Sequence, residues 1–215
     1  MEDHTVTWHS LLALVVTIVW STCVVAENLP KTKADKDAAR EAAARDVAVL
    51  EAVLVDLVSH PDSPVETKKE SKKRIFFSTD APTYQVQAAE VLRTSDDKKL
   101  EKLSKEQLAS ARVAAQHLAR RAAKKDVFKV FVPKDKRITM YSKEEADKDK
   151  DLYSSRQRPQ VFYAYPPGYS ADQQLAVVHL SFTWSGNLHG AAGTYVLTKQ
   201  KDEWIVILRN FTFFL

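Results

Sequence analysis

Two histidines near the C-terminus, His179 and His189, are the residues of this chain best suited to chemistry. An imidazole titrates near neutral pH, so it can act as a general acid–base or bind a metal ion. With Asp172 and Tyr195 the two histidines would form a polar pocket if the fold brought all four to one end of a sheet. The structural alternative is that His179 is a half-exposed strand residue and that His189 hydrogen-bonds a turn. The sequence favours this alternative because neither histidine belongs to a catalytic or metal-binding motif.

The motifs that would identify an enzyme are absent from the sequence. It has no Gly-x-Ser-x-Gly nucleophile turn, no Walker or dinucleotide fingerprint among its four glycines, and no His-x-His or His-Glu-x-x-His pair. We therefore expect no cofactor, no metal site built from neighbours in the chain, and no catalytic residue that a motif identifies.

A first helix is predicted from Ala34 onwards, because apolar residues recur there at three- and four-residue steps. These residues are Val47, Leu50, Leu54, Leu57 and Val58. Pro61 ends the helix, since proline does not continue a helical hydrogen-bond ladder. His60 would then lie at the helix C-terminus, where an imidazolium cation interacts favourably with the helix dipole.

A second helix is predicted after Ser104, which forms a capping box with Gln107 three residues later. Its apolar face is rich in alanine, which predicts close packing against a sheet. The residues of this face are Leu108, Ala111, Ala115, Leu118 and Ala122. His117 lies on the opposite side of the helix and is expected to be exposed.

Several segments have the alternation that is typical of strands. Short strands are predicted near residues 74–78, 128–132, 137–141 and 161–165, and three longer ones at 178–184, 194–199 and 204–214. The last strand is apolar on both faces, so it should be central in the sheet or covered by a helix on its far side. It contains the sequon Asn210-Phe211-Thr212, and its expected burial argues against glycosylation.

These elements predict an α+β fold, with two main helices packed on an antiparallel sheet that ends in a C-terminal three-stranded meander. We expect a single domain over residues 34–215, preceded by a tether at 27–33. The charged stretch at 142–159 is expected to be a mobile loop.

The first 26 residues predict the compartment. Residues 11–26 form an uncharged run of 16, which is short for a membrane span but suits the apolar core of a secretory signal cleaved between Ala26 and Glu27. A retained membrane anchor over residues 5–26 is the alternative, because acidic residues precede the run and lysines follow it. A start codon assigned upstream of the true signal is a third reading. The expected location is therefore exported, periplasmic or extracellular, or else membrane-anchored, and the intact mass of the cellular protein distinguishes cleavage from retention.

Cleavage would also set the redox chemistry and the charge of the mature chain. Cys23, the single cysteine, lies in the leader, so the mature chain would have no disulfide and no thiol ligand. Loss of Glu2 and Asp3 with no lysine or arginine would raise the net charge from +4 to +6. This charge favours anionic surfaces as partners. It does not indicate specific nucleic-acid binding, because the basic runs near 68–74 and 120–125 contain no stacking aromatics.

The C-terminal segment resembles a family of bacterial exported proteins of unknown function. The resemblance covers about fifty residues and rests on a Pro-Gly-Tyr-Ser-x-Asp turn at 167–172, a Gly-bounded loop at 185–190, and a Thr-Tyr-x-Leu-x-Lys strand followed by Trp-x-Val at 194–206. Many members carry cysteines in the loop, whereas Ser185 and His189 stand here. The resemblance names no activity.

The final hairpin is similar, more weakly, to nuclear transport factor two-like or cystatin-like folds. Such folds wrap a curved sheet round a helix and often keep a pocket at the wide end. Three hypotheses follow from the sequence: a non-enzymatic exported binding or cell-envelope-associated domain, a small hydrolase or isomerase that uses His179 and His189, and a membrane-anchored interaction protein whose N-terminal helix is the interaction stalk.

Overall fold

A computed structural model describes residues 32–61, 75–78, 86–92, 97–124, 131–142, 148, 161–184 and 189–214. The chain divides into two compact units, residues 1–41 and 42–215. The signal or anchor segment, the strand predicted at 128–132 and the loop predicted at 142–159 lie wholly or largely outside the described residues. Among the residues described, no helix is both long enough and apolar enough to cross a bilayer.

Helix α1 spans Lys33–Ser59. In the first unit, Thr32 caps it, since its hydroxyl accepts from the Asp35 N–H at 3.2 Å and the Asp35 carboxylate accepts from the Thr32 N–H at 2.9 Å. In the second unit, its buried apolar residues follow the predicted helical spacing: Val49, Leu50, Val53, Leu54, Leu57 and Val58. The predicted first helix is confirmed.

Further helices follow within the described residues. Two are short, α2 at Ala88–Val91 and α3 at Asp97–Leu100, and the third is the long α4 at Lys105–Ala123. The predicted capping box is present at the start of α4, where Ser104 and Gln107 bond each other's backbone N–H at 3.2 and 2.9 Å. The buried residues of α4 are Ala111, Ala114, Ala115 and Leu118, which confirms the predicted alanine-rich face. Leu108 and Ala122, which the prediction also placed on this face, are half-buried.

In the described part of the chain the sheet has seven strands: β1 Ile75–Ser78, β2 Ile138–Tyr141, β3 Val161–Ala164, β4 Gly168–Tyr169, β5 Leu175–Trp184, β6 His189–Gln200 and β7 Glu203–Phe214. Their order is β2-β1-β3-β5-β6-β7, and β4 pairs with β5 beside this path. The predicted α+β class and the antiparallel meander are confirmed, with β5, β6 and β7 paired in succession.

The prediction of a wholly antiparallel sheet is wrong for its first strands, because β1 pairs in parallel with both β2 and β3. Parallel neighbours need a long crossover. The connection from β1 to β2 contains α2, α3 and α4, so those helices supply it.

The two faces of the sheet carry separate apolar cores. The first core joins α1 to side chains such as Phe162, Leu180 and Tyr195, and the second joins α4 to Val177 and Val196. Neighbouring residues on a strand alternate between the cores, as the pleat requires. A helix therefore lies on each face, whereas the weaker resemblance implied a sheet wrapped round one helix.

Strand β7 lies last in the strand order of the described sheet rather than at its centre. Its two apolar faces are nevertheless both used, since Trp204 belongs to the first core and Leu208 to the second. Of the two predicted explanations, coverage by helices is confirmed.

Helix α4 approaches the backbone of β4 very closely at Gly168. A Cβ atom at this position would lie 2.0 Å from the Ala114 carbonyl oxygen and 2.5 Å from the Leu118 nitrogen. Gly168 is therefore required for space, and the alanine-rich face of α4 completes the same close fit.

Candidate functional site

The four residues that the sequence grouped as a possible pocket are separated by the strand geometry. His179 on β5 pairs with Thr194 on β6, so these two side chains share a face of the sheet. Tyr195 is the next residue and lies in the first core on the opposite face. The alternation of the pleat thus keeps His179 and Tyr195 apart.

Asp172 and His189 lie at opposite ends of β5 from each other. Asp172 is exposed in the turn before β5, where its carboxylate accepts from the Ser170 hydroxyl at 2.6 Å and the Gln174 N–H at 3.1 Å. The Ser170 bond holds the pKa of Asp172 below its usual value. His189 pairs with Trp184, five positions along from the His179–Thr194 pair, which is about 17 Å. The backbone register therefore separates the positions of these residues along the sheet.

His179 is buried rather than half-exposed, and a chain of hydrogen bonds fixes its tautomer. Its Nδ1 lies 3.0 Å from Oγ1 of Thr194, and that hydroxyl donates to the carbonyl oxygen of Val91 in α2 at 2.5 Å. Because the hydroxyl has one hydrogen and gives it to Val91, it must accept from Nδ1. Nδ1 of His179 therefore carries the proton and Nε2 carries the lone pair.

Burial lowers the pKa of His179 from 6.5 to about 4, against a smaller opposing effect of the Glu90 carboxylate. The imidazole is therefore neutral at pH 7, with Nε2 as an acceptor. This arrangement resembles that of a histidine base oriented by a second group. Among the described residues, no hydrogen-bond donor is placed against Nε2.

A pH dependence of stability follows from the lowered pKa of His179. Between pH 6.5 and 4 the unfolded chain binds this proton and the folded chain does not, so the free energy of unfolding falls as the pH is lowered. The shift corresponds to about 3 kcal/mol over the window. Urea unfolding at pH 7 and pH 4.5 should show a larger acid loss for the natural chain than for His179→Gln. Equal losses in the two proteins would contradict the assignment.

On the face of the sheet that contains His179, an apolar row of side chains is followed by a polar row two residues further along each strand. The apolar row consists of Val177, Val196 and Leu208, paired across three strands beneath α4. The next row on this face is the buried polar row, and it consists of His179, Thr194 and Asn210. These three side chains are 6, 5 and 3 % exposed. Beyond it lies the small-residue row, Ser181, Ala192 and Thr212.

A second polar cluster connects both long helices to β4, and sequence reasoning missed it. Asp46 of α1, buried, accepts two bonds from the Arg121 guanidinium of α4, at 3.0 and 2.8 Å. Asp46 also accepts from the Tyr169 hydroxyl at 2.8 Å, and Arg121 donates to the Pro167 carbonyl at 2.8 Å. The sequence signal that could have revealed this cluster is Asp46, an acidic residue on the apolar side of the predicted first helix.

His117 contributes to the same region and corrects a prediction. Its Nδ1 accepts from the Tyr169 N–H at 3.1 Å, and the side chain is half-buried rather than exposed. Burial, and then the nearby Arg121 and Arg120 charges, lower the pKa of His117. Nδ1 therefore acts as an acceptor that helps to hold β4 against α4.

A third cluster joins the end of α1 to β7. The Arg209 guanidinium donates to both carboxylate oxygens of Asp56, at 2.8 and 2.5 Å, and lies 2.7 Å from Nε2 of His60. Since a guanidinium can only donate, Nε2 of His60 must accept. His60 at the end of α1 thus lies within hydrogen-bond distance of Arg209 on β7.

The Tyr195 hydroxyl is buried close to this third cluster. Burial raises its pKa, and the Asp56 charge adds to the rise. Among the residues described, no hydrogen-bond partner reaches this hydroxyl. The neighbouring Arg209 is already occupied by Asp56 and His60, so the cluster holds the helix to the sheet rather than offering cationic groups to a ligand.

The solvent-facing side of α4 carries a basic surface, formed by Lys105, Arg112, Arg120 and Lys124, all exposed. At 3.6 residues per turn these four positions fall within about 120° of one another, opposite the buried alanine face. They extend over about 28 Å of helix. Glu106 is the one exposed acid between Lys105 and Lys124. We call these four residues the α4 basic surface.

The fold and its polar clusters define an α+β domain with a helix on each face of a mixed sheet. No protein-family model, curated protein or solved structure matches the chain. Within the described ranges, no three His, Cys, Asp or Glu residues are grouped so that they could hold a metal ion.

Proposed function

We propose that this protein is a non-enzymatic, exported domain that binds an anionic membrane surface. The observation that carries the proposal is the α4 basic surface, in which four cationic side chains face solvent along one helix. If the predicted N-terminal anchor is retained, it would keep the chain at a membrane. The resemblance of the C-terminal segment to exported proteins supports the same location.

The geometry of the charged groups supports this proposal over catalysis. Asp46 pairs with Arg121 and Asp56 pairs with Arg209, in partly buried positions, and these pairs stabilise the packing of helices on the sheet. The cations of the α4 basic surface instead face outward. An array of exposed cations attracts an anionic surface over about 8 Å at physiological salt. Each Lys or Arg near such a surface contributes about 1 kcal/mol to binding.

Binding to lipid vesicles tests the proposal. The full chain should sediment with vesicles that contain anionic lipid more strongly than with neutral vesicles, and added salt should remove the difference. The double reversal Arg112→Glu and Arg120→Glu should weaken the anionic component by at least about tenfold. The apolar N-terminal segment would contribute equally to both kinds of vesicle, so the comparison isolates the electrostatic part.

The matched control reverses two exposed lysines in the segment before β2, Lys134→Glu and Lys136→Glu. It changes the net charge by the same amount but leaves α4 intact. If both double variants lose binding equally, overall charge rather than the α4 basic surface is responsible. If the natural chain does not distinguish anionic from neutral vesicles, the proposal fails.

A further inference from the structure

We propose that the buried polar row is the wall of a binding site for a small, neutral, polyhydroxylated molecule such as a sugar unit. The site would lie over the small-residue row, on the face of the sheet opposite α1, and it is independent of the α4 basic surface. It is argued from four observations on the geometry of β5, β6 and β7.

The first observation is the acceptor presented by His179. The bond chain from Nδ1 through Thr194 to the Val91 carbonyl orients the ring and leaves the lone pair on Nε2. Of the described groups, none donates to that lone pair. A ligand hydroxyl is a donor that suits it.

The second observation is Asn210, whose side-chain amide lies in the same row and is 3 % exposed. Within the part of the chain that the structure describes, its Oδ1 atom has no hydrogen-bond partner. An orphaned buried acceptor is costly, and such groups in native proteins require an explanation. A ligand that donates to Oδ1 would provide one.

The third observation is the size of the neighbouring side chains. The small-residue row begins next to the buried polar row and holds a serine, an alanine and a threonine across the three strands. Tyr163 on β3 pairs with Ser181, so it shares this face and borders the row with a partly exposed ring. Small side chains beside an aromatic ring suit a sugar, whose apolar face packs on the ring.

The fourth observation is charge, which selects a neutral ligand. The residues of the row are uncharged, with His179 in its neutral form. Glu90, the nearby carboxylate, is exposed and accepts from the Gln87 N–H at 3.2 Å. Burying an unpaired charge costs far more than burying hydroxyl groups that can be hydrogen-bonded. A polyol, whose hydroxyls both donate and accept, therefore matches the site better than an ion.

Titration of the full chain with glucose and N-acetylglucosamine, followed by NMR and calorimetry, tests the site. The amide signals of Ser181, Ala192 and Thr194 should shift, and Asn210→Ala should weaken binding by about tenfold or more. His179→Gln should weaken it as well. Thr198→Ala, four residues further along β6 from Thr194, is the matched control and should bind as the natural chain does.

Thermal unfolding separates a binding role from a structural one. Because Oδ1 of Asn210 has no partner to lose, Asn210→Ala should keep or raise the melting temperature while binding falls. If neither sugar binds the natural chain, or if binding survives both Asn210→Ala and His179→Gln, the proposal is overturned. Binding of ethylammonium in place of the sugars would overturn the neutral class of ligand.

Discussion

Gly168→Ala should be the most destabilising single methyl addition in the described part of this protein. The added Cβ would meet the Ala114 carbonyl oxygen at 2.0 Å and the Leu118 nitrogen at 2.5 Å, and both are backbone atoms of α4. No side-chain rotation relieves such a clash, so α4 would have to move away from β4. We expect a loss of at least about 3 kcal/mol in the free energy of unfolding, measured by urea titration.

Gly193→Ala is the matched control for this substitution. Its Cβ would meet the ring of Phe211 at 2.5 Å, and that ring is a partly exposed side chain. Because the ring can turn aside, the expected cost is about 1 kcal/mol. Equal costs at the two glycines would show that the contact with the α4 backbone does not determine the packing. Displacement of α4 should also alter vesicle binding, since this helix carries the α4 basic surface.

Asp46→Ala should have the second large effect. The substitution removes both carboxylate bonds to Arg121 and the acceptor of the buried Tyr169 hydroxyl. Removing one member of a buried ion pair costs about 3–5 kcal/mol, because the remaining charge stays in a poorly solvated place. Urea unfolding should show a loss of that size.

A double variant tests whether the stability lost in Asp46→Ala comes from the broken ion pair or from the removal of packed atoms. In Asp46→Ala with Arg121→Met, the uncompensated cation is removed as well, so part of the lost stability should return. Asp46→Asn keeps an acceptor for Tyr169 and should cost less than Asp46→Ala. A loss below about 1 kcal/mol for Asp46→Ala would mean that the pair behaves like an exposed salt bridge.

The local sequence predicted those elements whose signals lie within a few residues. The capping box at Ser104 and Gln107 identified the start of α4, and the apolar spacing up to Leu57 identified α1. The hairpin between β6 and β7 was also predicted, and it closes through Lys201, whose φ of 56° suits a tight turn. These features depend on short-range geometry, so a single sequence is sufficient for them.

The same reasoning from local sequence could not predict how β1 pairs with its neighbours. Ile75–Ser78 reads as a strand, but nothing in those four residues distinguishes a parallel from an antiparallel neighbour. The choice depends on where the crossover through α4 returns the chain, which is a property of the whole fold. For this reason the class was predicted correctly and the mixed sheet was not.

The candidate sites likewise combine features that the local sequence predicts with features that depend on the whole fold. Sequence selected His179 as a residue of interest, but it could not predict burial, the bond to Thr194, or the orphaned acceptor of Asn210 in the same row. Each depends on strand register, and a shift of one residue would send every side chain to the other face. The Asp46–Arg121 pair joins residues 75 positions apart, so no local pattern could reveal it.

The sequence by itself determined the two long helices, the strands of the C-terminal meander, the α+β class, and the basic composition that makes an anionic surface an expected partner, because propensity, periodicity and charge are properties of short segments. Tertiary structure alone decided which histidine is buried, which charges pair inside the protein, and which cations remain on the α4 basic surface. Those outcomes follow from strand register and helix packing, which place residues distant in the chain next to one another.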